Sequence, residues 1–366
     1  MTDRPRIAIV LPSLAGGGAE RVCLLLGEAF AARGFAVDLV VLRARGEFDQ
    51  AVPDGIVVHD LAVRRFAHAL TPLRTYFRTA RPDATLVAMW PLTSIAVVAH
   101  RLAGRPGRLV LSDHTTLSKA YDDKGAGHRL RMTGSIALTY RLADACVAVS
   151  GGVADDLARL SGIARHRFTA IHNPIQLSTD PVEAPARQPG KGAHILSVGS
   201  LRRAKNQALL IRAFARFAAD RDASLTILGE GPLRGELELL IRQLGLGDRV
   251  RMPGFIDDPT PFYRSADLFA FSSDYEGFGN VIVEALANGL PVVSTDCPNG
   301  PAEILEGGRF GMLVPCGDAG ALADAMAASL AAPHDAAALK ARAEVFRPGN
   351  AAEAYLQLLF PKRAAA

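Results

Sequence analysis

Residues 271–305 constrain the fold of this 366-residue chain more than any other stretch. They read F-S-S-D-Y-E-G-F-G-N-V-I-V-E-A-L-A-N-G-L-P-V-V-S-T-D-C-P-N-G-P-A-E-I-L. The apolar run at 268–271 predicts a strand, and the apolar spacing over 280–288 predicts a helix that ends at Gly289. Residues 291–294 predict a second buried strand. Strand, glycine turn, helix, glycine stop and strand together form a βαβ unit, which indicates an α/β protein.

Two carboxylates flank the start of the predicted helix, eight residues apart, at Glu276 and Glu284. The turn after the first glutamate consists of Gly277, Phe278, Gly279 and Asn280. Glycines let a backbone approach a ligand closely, and the N–H groups at a helix start suit a phosphate. Carboxylates are poor phosphate ligands, so they are better suited to hydroxyl groups. A sugar nucleotide offers hydroxyls and phosphates together, whereas the plainer alternative is a capped helix with one exposed glutamate.

The run E-G-F-G-N-V-I-V-E resembles the E-x7-E signature of retaining glycosyltransferase family 4, and G-L-P-V-V-S-T-D-C-P-N-G-P-A-E-I-L is similar to that family's continuation. The resemblance implies the GT-B fold, with two Rossmann-like domains whose parallel sheets face each other across a cleft. It also implies that Glu276 holds the hydroxyls of the donor sugar and that Glu284 holds the ribose of the nucleotide.

A glycine-rich loop follows the first predicted strand, at 6–12. Gly16, Gly17 and Gly18 open a predicted helix, which is a generic arrangement for binding an anion. The loop is not G-x-G-x-x-G, and no acidic residue is well placed for a dinucleotide ribose. It is similar to the G-G-G-A-E-R-V loop of the same family, which implies contact with the donor phosphates and with the acceptor side.

A basic turn follows the predicted strand at 194–199. Lys205, with Arg202 and Arg203 before it, places positive charge where a diphosphate could be neutralised, although scattered surface cations are the plain alternative. The family carries an arginine and a lysine on the donor diphosphate. Lys205 matches the lysine, Ser200 stands at the arginine position, and Arg202 is the candidate replacement.

His114 follows the predicted strand at 109–112, at the end of the strand where α/β sheets bind ligands. A single histidine is more often structural. The family resemblance implies that this one contacts the donor sugar. We therefore treat His114, Glu276 and Lys205 as the candidate catalytic residues, with no metal ligands.

Positive charge is concentrated in the first half of the chain. Residues 1–180 carry 22 Lys+Arg against 16 Asp+Glu, whereas the remainder carries 19 against 21. This balance predicts an acidic partner, either a membrane surface or a phosphate-bearing acceptor, and no nucleic-acid motif accompanies it. Residues 64–81 form a basic amphipathic stretch that Pro72 interrupts; it is either a surface helix or a contact with anionic lipid. The second basic segment supplies the candidate acceptor-binding residues, or a solvated loop: Lys119, Arg129 and Arg131.

Composition and cysteine spacing indicate a cytoplasmic α/β protein. No apolar run reaches the ~18 to 20 residues of a membrane-spanning helix, and no signal peptide precedes the first strand. The four cysteines lack C-x-x-C spacing, which is typical of free thiols in a reducing compartment. We expect association with the cytoplasmic face of the inner membrane to be peripheral.

The length suits two domains. We predict an acceptor-binding Rossmann-like domain at 1–180, a proline-rich linker at 181–192, and a nucleotide-sugar-binding Rossmann-like domain at 193–345. A terminal segment at 346–366 is expected to pack back on the first domain, as the GT-B resemblance implies.

The resemblance implies a retaining, metal-independent hexosyltransferase without a cofactor, whose nucleotide diphosphate sugar is a co-substrate. The pattern is most similar to bacterial enzymes that extend polyprenyl-diphosphate-linked or cell-surface oligosaccharides, whose donors are often UDP-sugars, with GDP-mannose as the main alternative. Two other classes remain open: a sugar-nucleotide epimerase of the same fold, and a non-catalytic subunit that binds a sugar nucleotide.

Overall fold

The computed structural model describes residues 4–14, 17–44, 52–176 and 192–361. Gly16 and residues 181–191 of the predicted linker lie outside the described residues. Two units separate by their internal packing: Met1–Gln176 together with Arg347–Ala366 (unit 1), and Leu177–Phe346 (unit 2).

The strands of both units are parallel. They are β1 Arg6–Ser13, β2 Ala36–Arg43, β3 Ile56–Asp60, β4 Ala84–Ala88, β5 Arg108–Asp113, β6 Ala145–Ala148, β7 Phe168–Ala170, β8 Ala193–Val198, β9 Ala223–Leu228, β10 Val250–Gly254, β11 Leu268–Phe271, β12 Val292–Thr295 and β13 Met312–Val314.

Helices cover both sheets. They are α1 Gly18–Ala31, α2 Leu70–Ala80, α3 Leu92–Leu102, α4 Leu117–Ala120, α5 Ala126–Thr139, α6 Gly151–Ser161, α7 Gln207–Phe217, α8 Arg234–Gln243, α9 Thr260–Ser265, α10 Asn280–Ala287, α11 Pro301–Ile304, α12 Ala319–Ala331, α13 Ala336–Glu344 and α14 Pro348–Leu359.

Each unit is a doubly wound sheet. The strand order is β3-β2-β1-β4-β5-β6-β7 in unit 1 and β10-β9-β8-β11-β12-β13 in unit 2. The order reverses between β1 and β4 in the first sheet and between β8 and β11 in the second. In open α/β sheets such a reversal opens a crevice at the carboxyl ends of the strands, where ligands bind. The predicted α/β class with two Rossmann-like domains is confirmed.

Buried apolar side chains on the strands explain why these sheets form. The strand β1 (R-I-A-I-V-L-P-S) is buried on both faces from Ile7 to Leu11, as a central parallel strand requires. In unit 2 the helix α7 buries Leu210 and Phe214 against the sheet. The predicted strand, helix and strand around Glu276 are confirmed as β11, α10 and β12.

The C-terminal helix α14 belongs to unit 1. Tyr355 and Leu359 of α14 lie in the same buried cluster as the core of β1 and α1. Arg108 of β5 donates a hydrogen bond from Nε to the carbonyl oxygen of Leu358 at 2.9 Å. Apolar burial together with this hydrogen bond fixes α14 against unit 1.

Two details of the basic segments differ from the sequence prediction. Pro72 does not interrupt a helix: it lies in the first turn of α2, where its missing N–H has no intrahelical partner to lose. The second basic segment is not a solvated loop, because 126–139 forms α5, which buries Met132 and Ile136. Among the described residues, no helix combines the length and the apolarity that crossing a membrane requires.

Candidate active site

Two turns that carry candidate residues meet at the strand-order reversal of unit 2. The strand β8 leads to the turn that contains Lys205, and its neighbour β11 leads to the turn that contains Glu276. These residues are 71 positions apart in sequence. The parallel pairing of β8 with β11 therefore brings together two side chains that the sequence treats separately.

Lys205 and Glu276 form a direct ion pair. Lys205 Nζ donates to Glu276 Oε1 at 2.5 Å, and the two side chains are 24% and 10% exposed. Ser273 Oγ donates to the same Oε1 at 2.7 Å, and Ser272 Oγ donates to the carbonyl oxygen of Lys205 at 2.9 Å. The two serines after β11 thus fix both members of the pair before any ligand arrives. An anchored ammonium beside an anchored carboxylate can bind a phosphate and a hydroxyl side by side.

The glycine turn after Glu276 is sterically demanding. Gly279 precedes α10 with φ at 102°, in the left-handed region that favours glycine. A Cβ at Gly300, whose φ is 105°, would lie 1.6 Å from the carbonyl oxygen of Phe278. Glycine at position 300 is therefore what lets the segment before α11 approach the turn. Phe278 is buried and packs edge-on against Phe346, with ring centroids 5.5 Å apart.

Glu284 lies in the second turn of α10, and Tyr263 of α9 donates a hydrogen bond from its hydroxyl to Glu284 Oε2 at 2.9 Å. Tyr263 is buried and its hydroxyl also reaches the carbonyl oxygen of Val281 at 3.4 Å. Tyr263 thus fixes one oxygen of a carboxylate that is only partly buried. The helix start at Asn280 and this carboxylate are one turn apart, which suits adjacent phosphate and hydroxyl groups.

Arg202 is exposed and forms no ion pair within the described part of the chain. It does not join the Lys205–Glu276 pair, so its contact with a diphosphate stays a prediction. Ser200, at the position of the family's arginine, accepts a hydrogen bond from Gln207 through its carbonyl oxygen at 3.0 Å.

His114 ends a hydrogen-bond chain in unit 1 that starts in the C-terminal helix. The hydroxyl of Tyr355 lies 2.8 Å from Ser112 Oγ, which lies 3.1 Å from His114 Nε2. Burial lowers the pKa of His114 to about 4, and a hydrogen bond with Asn173 opposes part of that shift. The imidazole is therefore neutral near pH 7, and it can orient a hydroxyl but contributes no positive charge.

The neighbouring Asp113 is buried in unit 1. Its carboxylate accepts hydrogen bonds from Tyr140 Oη at 2.7 Å and from the backbone N–H of Trp90 at 3.3 Å. Burial raises the pKa of Asp113 to about 6, although both hydrogen bonds oppose the shift. Asp113 is fully buried, so it supports the carboxyl end of β5 and does not face a ligand.

The remaining predicted residues lie in unit 1. Gly17 and Gly18 start α1 at the carboxyl end of β1, next to the strand-order reversal of that sheet, and no side chain caps this helix. Lys119 lies on α4, and Arg129 and Arg131 lie on α5; all three side chains are exposed. These three residues share one surface segment that follows His114 along the chain.

The cysteines are free thiols, as expected. Burial and the nearby Glu276 carboxylate raise the pKa of Cys297 well above its ordinary value, so that thiol is not a nucleophile near neutral pH. Within the described residues no three His, Cys, Asp or Glu side chains cluster as metal ligands would.

Sequence reasoning missed three residues that hold candidate side chains: Ser273 and Tyr263 in unit 2, and Tyr355 in unit 1. The position of Ser273 directly after a predicted strand is the signal that could have found it. Tyr263 and Tyr355 each reach a partner in their own unit from another helix, and no spacing rule connects either tyrosine with that partner.

Comparisons with known proteins identify the family of this chain. A family model described as Glycosyl transferases group 1 matches residues 181–346, and a model described as Glycosyltransferase Family 4 matches residues 16–179. The chain belongs to this family of glycosyltransferases, and it is therefore an enzyme.

Two curated relatives align with most of the chain. An N-acetylgalactosamine-N,N'-diacetylbacillosaminyl-diphospho-undecaprenol 4-alpha-N-acetylgalactosaminyltransferase from Campylobacter jejuni is 33% identical over 320 residues, which cover 84% of this chain and 86% of that protein. The lipopolysaccharide core biosynthesis glycosyltransferase LpsE from Rhizobium meliloti is 29% identical over 317 residues, covering 85% and 84%.

Solved structures share the GT-B fold. Anabaena Alr3699/HepE in complex with UDP-glucose aligns with a TM-score of 0.78 at 21% identity, covering 99% of this chain and 100% of that chain. The lipopolysaccharide outer core galactosyltransferase WaaB in its apo form aligns with a TM-score of 0.76 at 20% identity, covering 98% and 99%.

Proposed function

We propose that this protein is a retaining, metal-independent glycosyltransferase of cell-surface glycan synthesis. It moves a hexose or N-acetylhexosamine from a UDP-linked sugar to a lipid-linked or polysaccharide acceptor. The Lys205–Glu276 pair carries the proposal. In a nucleotide diphosphate sugar the sugar carbon is bonded directly to a phosphate, so a carboxylate for hydroxyls and a cation for phosphate must lie side by side, as these two do at 2.5 Å.

The chemistry follows from where charge develops. As the bond between the sugar carbon and the phosphate oxygen breaks, negative charge grows on the diphosphate. Lys205, with Arg202 and the N–H groups at the start of α10, stabilises that charge. The acceptor oxygen attacks the same face, and its proton passes to the departing phosphate oxygen, so that the configuration at the sugar carbon is retained.

The other candidate residues orient the donor. Glu276 holds sugar hydroxyls, and Glu284, fixed by Tyr263, holds the ribose hydroxyls. His114 is neutral near pH 7 and therefore orients the sugar by hydrogen bonding. Gly16, Gly17 and Gly18 lie against the donor phosphates in this proposal. No resident cofactor takes part, because the nucleotide sugar is itself the activated co-substrate.

The relatives support the choice of donor and acceptor. The Campylobacter jejuni relative is named for transfer onto a diphospho-undecaprenol acceptor, and the Rhizobium meliloti relative for lipopolysaccharide core synthesis. HepE was solved with UDP-glucose. We assign the acceptor's phosphates to Lys119, Arg129 and Arg131, and we place the enzyme peripherally on the cytoplasmic face of the inner membrane.

The test measures nucleotide release from UDP-, GDP- and ADP-sugars, with and without a bacterial lipid extract. We expect one UDP-sugar to release UDP faster when the extract is present, and EDTA to leave the rate unchanged. Anomeric analysis of the product by NMR should show the configuration of the donor.

Matched variants assign the activity to the site. Glu276→Gln should lose turnover while its circular dichroism spectrum is unchanged, whereas Asp324→Asn removes an exposed carboxylate on α12 and should keep the wild-type rate. Nucleotide release that does not depend on the lipid extract would favour an epimerase, and no nucleotide release from any donor would favour a binding subunit.

A further inference from the structure

One surface of unit 1 exposes large apolar side chains together. Leu130 and Leu138 of α5 are 74% and 73% exposed, and no other large apolar side chain among the described residues is as exposed. Leu142 follows in the short 3₁₀ turn Tyr140–Leu142, and Val98 and Leu102 are exposed on α3. We call the surface formed by these five side chains the α3–α5 face.

The five side chains belong to two helical segments that pack together. Residues 130, 134, 138 and 142 are spaced by four, so they follow one side of α5 and its extension. The helices α3 and α5 pack together, because Thr139 Oγ1 donates to Ser94 Oγ at 3.1 Å. Arg101 Nη2 donates to the carbonyl oxygen of Leu142 at 3.2 Å, which places the end of α3 beside the end of the stripe.

Arginines border this apolar surface. Arg129, Arg131 and Arg141 on or just after α5 and Arg101 on α3 are exposed, and α5 has no acidic residue in its first turn. Arg129 lies in the first turn of α5, near the positive end of the helix macrodipole, which is an unfavourable place for a cation unless an anion is nearby; Arg131 follows in the second turn. Neither forms an ion pair within the described residues. The closest acidic pair in sequence, Asp122 and Asp123, precedes α5, and Asp123 already pairs with Lys124 at 3.3 Å.

The other basic helix lacks this combination. In α2 the apolar side chains of Leu73, Tyr76 and Phe77 are buried, so Arg74 and Arg78 border no exposed apolar stripe. Phe66, in the 3₁₀ turn before α2, is exposed, but a single ring forms no stripe. Lipid contact was one of two interpretations of residues 64–81, whereas the described residues of α3 and α5 expose several apolar side chains beside positive charge.

We propose that the α3–α5 face docks on an anionic lipid surface. Its leucines enter the boundary between headgroups and acyl chains, and its arginines contact lipid phosphates. This inference deepens the proposed function, because docking on lipid would bring the enzyme to a lipid-linked acceptor. The biological role of the docking rests on the proposed function, whereas the docking itself does not.

Charge complementarity selects the lipid over a second copy of the chain. Pairing this face with itself about a two-fold axis would place the same arginines against one another, and like charges oppose association. A membrane rich in phosphatidylglycerol supplies the missing negative charge on a flat surface that a convex helical stripe can enter.

The test is co-sedimentation of the full chain with phosphatidylcholine vesicles, with and without phosphatidylglycerol, in the absence of nucleotide sugar. The wild type should bind the anionic vesicles, and Leu130→Asp with Leu138→Asp should weaken that binding at least about tenfold. The control Thr71→Asp with Thr79→Asp adds the same charge at the same spacing on exposed positions of α2, and it should bind like the wild type.

A gain-of-function variant guards against misfolding as an explanation. A Cβ at Gly134 would meet no atom within 4 Å, so Gly134→Leu should fold and bind the anionic vesicles more tightly than the wild type. Fluorescence of Trp90, whose Nε1 donates to Ser135 Oγ of α5 at 3.0 Å, checks that each variant keeps the native packing.

Three results would overturn the proposal: no wild-type binding to anionic vesicles, equal loss in the α2 control, or a wild-type dimer without lipid that the Leu130→Asp/Leu138→Asp variant dissociates. Because no donor is present, failure here is separate from failure of the transferase assay.

Discussion

The ion pair between Lys205 and Glu276 should be worth a measurable part of the stability of unit 2. Exposed ion pairs contribute about 0–1 kcal/mol, and removing one partner of a fully buried pair costs about 3–5 kcal/mol. Exposures of 24% and 10% lie between these limits. We therefore expect Lys205→Met to cost about 2 kcal/mol, because it leaves a mostly buried carboxylate without its cation. Glu276→Gln should cost about 1 kcal/mol, because the amide can still accept from Ser273.

The free-energy costs of the two substitutions should not be additive. In the double variant neither charge is left alone, so its cost should fall at least about 1 kcal/mol below the sum of the single costs. Turnover should behave differently, because both groups contact the donor in the proposed mechanism: the double variant should be as inactive as either single variant. Recovered stability without recovered activity is the signature of a pair that is both structural and functional.

Urea unfolding followed by circular dichroism measures these costs, and about 2 kcal/mol corresponds to a midpoint shift of about 1 M. The single tryptophan, Trp90, lies in unit 1 and reports on that unit alone. Its fluorescence transition is the internal control for effects outside unit 2. Costs that add to within about 0.3 kcal/mol would refute the reasoning, because the side chains would then not interact in solution.

Three further predictions concern the groups that position the site. Tyr263→Phe removes the hydrogen bond to Glu284 and should raise the donor KM about three- to tenfold with little change in kcat; steady-state kinetics in which only kcat changed would contradict a role in holding the nucleotide. Tyr355→Phe breaks the hydrogen-bond chain to His114 and should lower kcat several-fold in the wild type but not in a His114→Gln background. Equal losses of kcat in both backgrounds would exclude a role for Tyr355 in positioning His114. The contributions of His114 and Asp113 to stability should nearly cancel between pH 4 and 6. The His114 contribution, with a native pKa of about 4 against an ordinary 6.5, falls as pH falls, and the Asp113 contribution, with a native pKa of about 6 against 3.8, falls as pH rises. The His114→Gln variant should keep only the Asp113 contribution, so that relative to the wild type its stability falls by about 2 kcal/mol from pH 4 to 6. Urea unfolding at each pH measures this fall, and a pH profile equal to that of the wild type would contradict the prediction.

Local pattern predicted most of the elements that carry the site. The apolar run before Ser272, the glycine turn and the spacing of Ile282, Val283 and Leu286 predicted β11 and α10 within a residue or two. These features depend only on neighbouring residues: alternation of burial, backbone freedom at glycine, and the period of a helix. The same reasoning placed Lys205 and His114 after strands, at the carboxyl edges of their sheets.

Strand order could not be predicted in the same way. The contact between Lys205 and Glu276 exists because β8 pairs with β11, while β9 and β10 lie on the other side of β8. That order follows from which helices cover which face, a property of the packed unit and not of any short window. Burial of α5 was missed for a related reason: its apolar period is broken by Gly127, Gly134 and outward leucines, so the sequence left a solvated loop as an open alternative.

The geometry of Lys205 explains how one group can serve both the fold and the ligand. An ammonium carries three N–H donors, and the bond to Glu276 Oε1 uses one of them. The backbone oxygen of Lys205 is held by Ser272, so the side chain starts from a fixed point. A diphosphate can therefore bind to the remaining donors without displacing Glu276. Diphosphate binding would then add a second anion to an anchored cation and leave the ion pair intact. Most of the free-energy cost of desolvating Lys205 is already incurred during folding.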